Sequence, residues 1–248
     1  MKYIYTGFIF FLSLGLWMLK RAYENNLVTH KVHINNDSIH RPLTILFISD
    51  IHRRKIPEQW FRSLPDADLV LIGGDMTEKG VSYDRVKANA ALLAEAGNAY
   101  FVFGNNDEEV DKNRLSGILK GAGITVLENE SVVLDDHYAL SGIGDINYRK
   151  DDLNAAFKEV GNRNVILLSH DPRVARKLAG AERSDQIRLI LSGHTHGGQI
   201  RIFGFGPYEK GQLIKKDHYT QLISNGYGTT VIPMRLGAKS EVHLLKIY

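Results

Sequence analysis

Five apolar runs, each leading straight into a cluster of polar side chains, constrain the fold of this chain more than any other feature. A continuous apolar run is typical of a strand that is buried on both faces of a sheet. The 248 residues, of which 44% are hydrophobic, can bury such a sheet in a sizeable core. The runs are Leu43–Ser49, Leu69–Gly73, Tyr100–Phe103, Val165–Ser169 and Leu189–Ser192.

Segments with helical spacing separate these runs, and the alternation predicts an α/β fold with helices outside the sheet. The helical segments are Trp60–Leu64, Val86–Ala96, Leu115–Lys120, Leu153–Val160 and Val174–Leu178. Beyond Gly193 the chain is strand-like with hardly any helix, which predicts a second, more antiparallel sheet near the C-terminus. Its strands are expected at Ile200–Phe203, Leu222–Ser224 and Glu241–Ile247. No internal boundary follows residue 42, so residues 43–248 are predicted to form one domain.

The polar clusters supply metal-ligand side chains at one topological position. Each cluster alone has an ordinary explanation, such as a turn, a helix cap or a core histidine. Ligands bind beyond the carboxyl ends of the strands in open α/β sheets, and all five clusters fall there. The clusters are Asp50-Ile51-His52, Gly74-Asp75, Gly104-Asn105-Asn106-Asp107, His170-Asp171 and Gly193-His194-Thr195-His196.

The donor types indicate which ions such a site can hold. The chain has no cysteine, which excludes thiolate sites and disulfides, so any metal is held by oxygen and imidazole. Carboxylate, carboxamide and imidazole together suit manganese, iron, zinc or cobalt better than calcium or magnesium. Seven donors are too many for one ion but enough for two divalent ions that share a carboxylate, as in phosphoryl displacement.

In this order, the motifs resemble those of the calcineurin-like metallophosphoesterase superfamily, from about residue 43 to the C-terminus. The strings GHTHGGQIRI (193–202), SNGYGTT (224–230) and EVHLLKI (241–247) are similar to the bacterial membrane-associated branch around the YkuE and YaeI phosphodiesterases. The resemblance implies a four-layer α/β/β/α sandwich of two mixed sheets. It also implies a metal-bridging hydroxide that attacks phosphorus.

The resemblance assigns the site residues by position. It implies one metal on Asp50, His52 and His196, and a second on Asn105, His170 and His194, with Asp75 as the bridge. The candidate catalytic residues are Asn106, Asp107 and His194. Many members of the superfamily have histidine where this chain has Asn106, and an amide cannot release a proton. We therefore expect leaving groups that need little protonation, and we expect Asp107 to orient a motif histidine.

The N-terminus carries an uncharged segment, Tyr3–Leu19, between Lys2 and Lys20-Arg21. It predicts a single-pass transmembrane anchor over residues 1–21, followed by residues 22–42, which are mainly a tether with a possible short strand through Val32 and Ile34. The alternative is a cleaved signal peptide, although no small-residue cleavage site follows. The positive-inside rule favours a cytoplasmic catalytic domain on the cell membrane.

A formal net charge of +3 gives no reason to expect nucleic acid, and no obligate protein partner is evident. The sequence predicts a hydrolase acting on a phosphodiester or pyrophosphate, either lipid-linked or nucleotide-linked. The alternatives are a silent scaffold with this fold and a phosphoprotein phosphatase. Arg53, Arg54 and Lys55 form either a basic rim that attracts anions or a solvated loop. Asp145 is either a residue of that rim or part of a turn.

Overall fold

The computed structural model describes residues 2–34 and 42–248. The helices in these ranges are α1 (Lys2–Ala22), α2 (Glu58–Phe61), α3 (Tyr83–Ala94), α4 (Lys112–Gly121) and α5 (Leu153–Ala156). Short 3₁₀ turns lie at Asp107–Glu109, Pro172–Arg176, Ser184–Gln186 and His196–Gly198. The two longest helices after α1 each have a side-chain N-cap. Ser82 accepts a hydrogen bond from Arg85 N at the start of α3, and Asp111 accepts one from Arg114 N at the start of α4.

Within the same ranges, twelve strands form two mixed six-stranded sheets. The first sheet contains β1 (Leu27–Val32), β2 (Leu43–Ile48), β3 (Leu69–Ile72), β4 (Asn98–Phe101), β5 (Thr125–Val126) and β12 (Val242–Ile247). The second contains β6 (Glu130–Val133), β7 (Tyr138–Gly142), β8 (Asn164–Leu168), β9 (Ile187–Ser192), β10 (Gln212–Lys215) and β11 (Thr220–Ile223). Their orders are β1-β12-β2-β3-β4-β5 and β10-β11-β9-β8-β7-β6.

Three apolar clusters hold these layers together. One packs α3 and α4 against the first sheet, with Val86, Leu115 and Phe101 among its buried residues. The second lies between the two sheets, and the third covers the far side of the second sheet with α5. Because most strands are covered on both faces, they are continuous apolar runs rather than alternating patterns.

Two strand predictions are wrong in their placement. The C-terminal strand, β12, pairs with β2 and β1 in the first sheet instead of contributing to the second. The segment Ile200–Phe203 makes only isolated bridges, and the core of the second sheet is parallel, through β7, β8, β9 and β11. Pairing between strands distant in sequence is not encoded in the local apolar pattern, which explains both errors.

The predicted tether also differs from the structure. Residues 27–32 form β1, parallel to β12, so the sheet begins upstream of residue 43. Residues 35–41 of the predicted tether lie outside the described part of the chain. Leu27 and Val32 pack into apolar clusters on opposite faces of the sheet, and the exposed residues between them left only a short strand through Val32 and Ile34 to be expected from the sequence.

The predicted anchor residues form helix α1, but the transmembrane prediction is not confirmed. No helix in residues 2–34 and 42–248 combines the length and the apolar character needed to cross a bilayer. Many large side chains of α1 are nevertheless exposed, among them Phe8, Phe11 and Trp17.

Candidate metal centre

The ends of five strands bring the motif residues together. β2, β3 and β4 run parallel in the first sheet, as do β8 and β9 in the second. Parallel strands end at the same edge, so the loops that follow them lie side by side. The two sheets pack face to face, and their carboxyl edges meet at one site.

The first group of donors consists of Asp50, His52 and His196, which are all buried. The two ring nitrogens, His52 Nε2 and His196 Nε2, lie 3.0 Å apart. The Oδ1 atom of Asp50 lies 3.5 Å from His196 Nε2. This set could hold one divalent cation, since every donor atom lies within 4.8 Å of the others.

The second group consists of Asn105, His170 and His194. Asn105 Oδ1 lies 2.9 Å from His194 Nδ1 and 3.2 Å from His170 Nε2. Asp75 stands between the two groups, with Oδ2 at 3.4 Å from His170 Nε2 and 3.6 Å from His52 Nε2. The structure therefore brings all seven sequence-predicted ligands together, with Asp75 between the two groups.

The outward nitrogens of three histidines face oxygen atoms, as the outward nitrogens of metal-binding imidazoles commonly do. His52 Nδ1 lies 2.9 Å from Glu78 Oε2, and His170 Nδ1 lies 2.8 Å from the carbonyl oxygen of Gly73. His194 Nε2 faces Asp171 at 3.8 Å. Imidazoles that bind metal commonly donate their other N–H to a carboxylate or a carbonyl, which fixes the tautomer. The donor set thus fits a pair of divalent ions.

Electrostatics keeps the central carboxylate charged and part of the imidazole set neutral. Burial alone would raise the pKa of Asp75, but neighbouring His170 and His52 hold it far below its usual value. Burial lowers the pKa of His196 to about 3, and burial with the charge of His170 lowers that of His194. The unprotonated imidazole is the form that coordinates a metal.

The charge of Asp75 raises the pKa of the two histidines nearest to it, whereas burial lowers it. Burial lowers the pKa of His170, but the charge of Asp75 outweighs it and raises that pKa well above the usual value. For His52, the contacts with Glu78 and Asp75 likewise outweigh burial and raise the pKa. The buried anion therefore attracts positive charge to this point of the structure, whether from a proton or from a metal ion.

Left-handed backbone conformations concentrate at this site. Five of the seven ligands have positive φ, namely Asp50 (56°), His52 (51°), Asp75 (52°), His194 (69°) and His196 (49°). Such conformations are uncommon for residues other than glycine, and where they occur in groups they usually belong to functional sites. The sharp turns direct each side chain back toward the common centre.

Glycines allow the loops to approach these ligands closely. A Cβ atom at Gly104 would lie 2.3 Å from Asp75 Oδ1, and one at Gly193 would lie 2.4 Å from Asp50 Oδ2. Neither contact is possible in a packed protein, so both positions exclude any side chain.

The two other candidate catalytic residues have different surroundings. The backbone N–H and the side-chain Nδ2 of Asn106 both donate to Asp75, each at 2.8 Å. Asp107 is fully buried and accepts hydrogen bonds from Gly104 N and Thr77 N, so it fixes a loop and does not contact a histidine as the sequence suggested. Burial and the charge of Asp75 raise the pKa of Asp107 to about 7.

A cavity of about 400 Å³ opens onto the site. Its inner end is lined by Asp75, Asn105, Asn106, His194 and His196. Its outer wall is largely apolar and consists of Ile200, Pro207, Tyr208, Val231 and Ile232. A ligand with a phosphoryl group at the donor cluster would therefore extend past apolar side chains.

Sequence analysis missed three residues that hold the site in place. Glu78 and Asp171 contact ligand histidines, and Arg235 is completely buried. The Arg235 guanidinium donates to the carbonyl oxygens of Asn225 (2.8 Å), Gly226 (3.1 Å) and Gly228 (2.5 Å). Asp171 follows a motif histidine directly and could have been recognised, whereas nothing around Arg235 in the sequence distinguishes it from a surface arginine.

The basic stretch after the first motif does not form a continuous rim. Arg53 is exposed and pairs with Glu78. Arg54 is buried, and its guanidinium donates to Tyr23 O (2.7 Å), Tyr227 O (2.8 Å) and Asn25 Oδ1 (2.5 Å). Asp145 is also buried, so it is not a rim residue.

The comparisons with known proteins agree with this geometry. The family model for calcineurin-like phosphoesterases matches residues 43–198. The chain belongs to the calcineurin-like phosphoesterase family. It is 41% identical to the uncharacterized protein YpbG of Bacillus subtilis over 93% of this chain and 90% of that protein. The resemblance seen in the sequence motifs is thereby confirmed.

Two further comparisons concern more distant proteins. Phosphodiesterase YaeI of Escherichia coli is 29% identical over 89% of this chain and 87% of that protein. A 5′-nucleotidase precursor from Thermus thermophilus superposes with a TM-score of 0.55 at 17% identity, covering 83% of this chain and 55% of that one. The second likeness shows the fold alone.

The contrast between Arg53 and Arg54 leads to a stability prediction. Arg54→Ala leaves several buried carbonyl oxygens without a donor, and we expect it to lower the free energy of unfolding by about 3 kcal/mol or more. Arg53→Ala removes only an exposed ion pair and should lower it by less than about 1 kcal/mol. Urea denaturation of both variants measures the difference, and equal losses would contradict the structural role of Arg54.

Proposed function

We propose that the chain is a metal-dependent hydrolase of a phosphodiester or pyrophosphate bond. The observation that supports this most directly is the convergence of four imidazoles, two carboxylates and one carboxamide on a single point, with the outward nitrogens of His52, His170 and His194 facing oxygen atoms. The donor types favour two ions of manganese, iron, zinc or cobalt. When bound, such ions would activate water and neutralise charge on the phosphoryl oxygens.

The proposed ligand assignment follows the two groups of donors. Asp50, His52 and His196 would hold one ion, and Asn105, His170 and His194 the other. Asp75 would bridge them, because its carboxylate lies within 3.6 Å of a histidine from each group. Its two hydrogen bonds from Asn106 keep the carboxylate fixed in this orientation.

The bond changes in the proposed reaction are those of a hydrolysis. A water oxygen forms a bond to phosphorus and loses one proton to the solvent, while the ester P–O bond breaks and the leaving oxygen takes the bonding pair. Asn106 lines the cavity at this point, and its amide can donate a hydrogen bond to an oxygen but cannot protonate it. We therefore propose that weakly basic leaving groups, such as phosphates or aryloxides, are preferred.

We also propose that helix α1 attaches the protein to a membrane surface. The helix has no charged side chain between Tyr3 and Leu19, and Phe8, Phe11 and Trp17 are exposed. Its C-terminal end is fixed to the catalytic domain, since Arg235 N donates to Met18 O at 3.1 Å. An exposed apolar helix with basic residues at one end is typical of a segment that contacts lipid.

The two-metal proposal predicts the effect of removing the bridge. Asp75→Asn should lower kcat/KM toward an aryl phosphodiester by at least about 100-fold, because loss of even an outer partner of a metal ligand commonly costs 10–100-fold. Asp66→Asn replaces an exposed carboxylate and should leave the rate unchanged. The assay uses metal-stripped protein that is then reloaded with Mn²⁺, with metal content measured in parallel.

The metal content separates the remaining explanations. The proposal expects two ions per wild-type chain, one for each group of donors, and fewer in Asp75→Asn. If metal binds but no tested ester is hydrolysed, the result contradicts an aryl-diester activity and still supports the metal centre. Neither metal nor hydrolysis would favour a scaffold with this fold.

The asparagine at position 106 makes a separate prediction. The wild-type protein should hydrolyse aryl phosphodiesters much faster than alkyl phosphomonoesters, whose leaving group needs a proton. Asn106→His introduces a group that can supply one, and general acid catalysis is typically worth about 10²–10⁴-fold. The ratio of the two rates should therefore shift by at least about tenfold toward the alkyl ester. Equal wild-type rates on both esters would contradict the proposed preference.

Membrane attachment through α1 is tested by liposome flotation of the full chain. Phe8→Ser with Phe11→Ser should leave most of the protein at the bottom of the gradient, because each buried aromatic contributes about 2 kcal/mol to partitioning. Val133→Ser with Tyr148→Ser, which also changes two exposed apolar residues, is the matched control and should float like wild type. Equal flotation of both variants would overturn the role of α1.

A further inference from the structure

The mouth of the cavity carries an unusual amount of exposed apolar surface. Residues 202–210 are all exposed, although Ile202, Phe203 and Phe205 have large apolar side chains. Phe203 is 96% exposed, Phe205 82% and Val231 95%. We call this surface the apolar rim, formed by Ile202, Phe203, Phe205, Tyr208, Val231 and Ile232.

The apolar rim is a continuation of the cavity wall. Tyr208, Val231 and Ile232 line the cavity itself, together with Asp75 and Asn106 at its inner end. Ile202 and Phe205 form a tight turn, with Ile202 N donating to Phe205 O and Phe205 N to Ile202 O, each at 2.9 Å. The chain runs directly from this turn to Tyr208 in the cavity wall, and the apolar residues along it define a path from the ligand cluster to the tip of the turn.

Hydrogen bonds hold the rim rigidly in its exposed position. The Gln199 side chain joins the two loops, because Nε2 donates to Ile232 O at 2.9 Å and Oε1 accepts from Thr230 N at 3.0 Å. Arg201 fixes the turn by donating to Gly204 O at 2.6 Å and to Tyr208 O at 2.7 Å. The apolar side chains are therefore presented by a built platform, which favours a binding function.

The backbone conformation of two rim residues also favours a binding function. Phe203 has φ 52° and Val231 has φ 61°. A left-handed conformation is a genuine outlier for a β-branched or bulky residue, and strain of this kind tends to occur at binding sites. Neither side chain gains burial within the described protein in return, so packing gives no reason for the strain.

We propose, on the basis of the phosphoesterase function above, that the apolar rim binds the alkyl chain of an amphiphilic phosphoester. A small aryl or methyl group would be accommodated by the cavity wall alone and would leave Phe203 and Phe205 in water. A long aliphatic chain lies along the whole path from the ligand cluster to the turn. The rim also adjoins the end of α1, since Val231 and Ile232 line a second pocket with Ala22 and Tyr23, which suits a substrate taken from a lipid surface.

A chain-length series tests this inference with the leaving group held constant. The substrates are methyl, hexyl and decyl 4-nitrophenyl phosphodiesters, each below its critical micelle concentration. For the wild-type full chain, kcat/KM should rise by roughly fourfold for each methylene group that leaves water. Phe203→Ser with Phe205→Ser should remove most of this rise, measured as the ratio of kcat/KM for the decyl ester to that for the methyl ester.

The matched control is Val133→Ser with Tyr148→Ser, which retains α1 and the rim and should behave like wild type. A value of kcat/KM that does not change from methyl to decyl would overturn the proposal and indicate another occupant, such as a protein partner. A rise that survives in the rim variant would overturn it as well, because the chain would then bind elsewhere.

A fluorescence measurement decides the matter without turnover. Decylphosphonate should shift the indole emission of Phe203→Trp to shorter wavelength, whereas methylphosphonate should not. Val133→Trp, which contains the same two native tryptophans, Trp17 and Trp60, corrects for chains that bind at α1. If no ester is hydrolysed but the shift occurs, the phosphoesterase proposal fails and the rim remains an alkyl-binding surface. Equal emission changes in both variants would overturn the rim.

Discussion

The buried carboxylate of Asp75 is the constraint on which the rest of the site depends. It is almost inaccessible to solvent, yet its pKa is held far below the usual value by surrounding imidazoles. A buried anion is tolerated only where positive charge and hydrogen-bond donors surround it. Asn106, His52 and His170 provide that environment, and they come from loops of both sheets. The carboxylate can therefore stay charged only when the two sheets pack against each other and bring these loops together.

The surrounding fold also has to support the strained loops that carry the ligands. Left-handed backbone at several neighbouring residues costs of order 1 kcal/mol or more at each position. Rigid strands directly before each loop, and buried hydrogen bonds such as Ser49 Oγ to Asp50 Oδ2 at 2.6 Å, hold these conformations. The result is a set of donors whose positions are fixed before any ligand binds, which is the condition for effective catalysis.

Much of the site could be predicted from sequence because its signal is local. Each motif follows a strand within a few residues, as His52 follows β2 and His194 follows β9, so strand prediction places the ligands at one edge. The fold was less predictable where distant segments meet. The pairing of β1 with β12 joins residues more than 200 positions apart, and nothing in the short segment 27–32 indicates its partner. The burial of Arg54 and Arg235 could not be predicted either, because most of their acceptors are backbone carbonyl oxygens, which carry no signal in the sequence.

These two arginines also connect the outer parts of the molecule with the centre. Arg54 donates to the carbonyl oxygens of Ala22, Tyr23 and Tyr227, and therefore links the end of α1 to the loop after β11. Arg235 binds that same loop, and its backbone binds Met18. Gly226 and Gly228 of this loop lie against Asp50 and Ile51, beside the first group of ligands. The end of α1, the segment 229–235 and the ligand loops are therefore joined by one network of hydrogen bonds and close contacts around two guanidinium groups. A substrate that entered along the apolar rim, as proposed, would then meet donors whose loops are held by the same guanidinium groups.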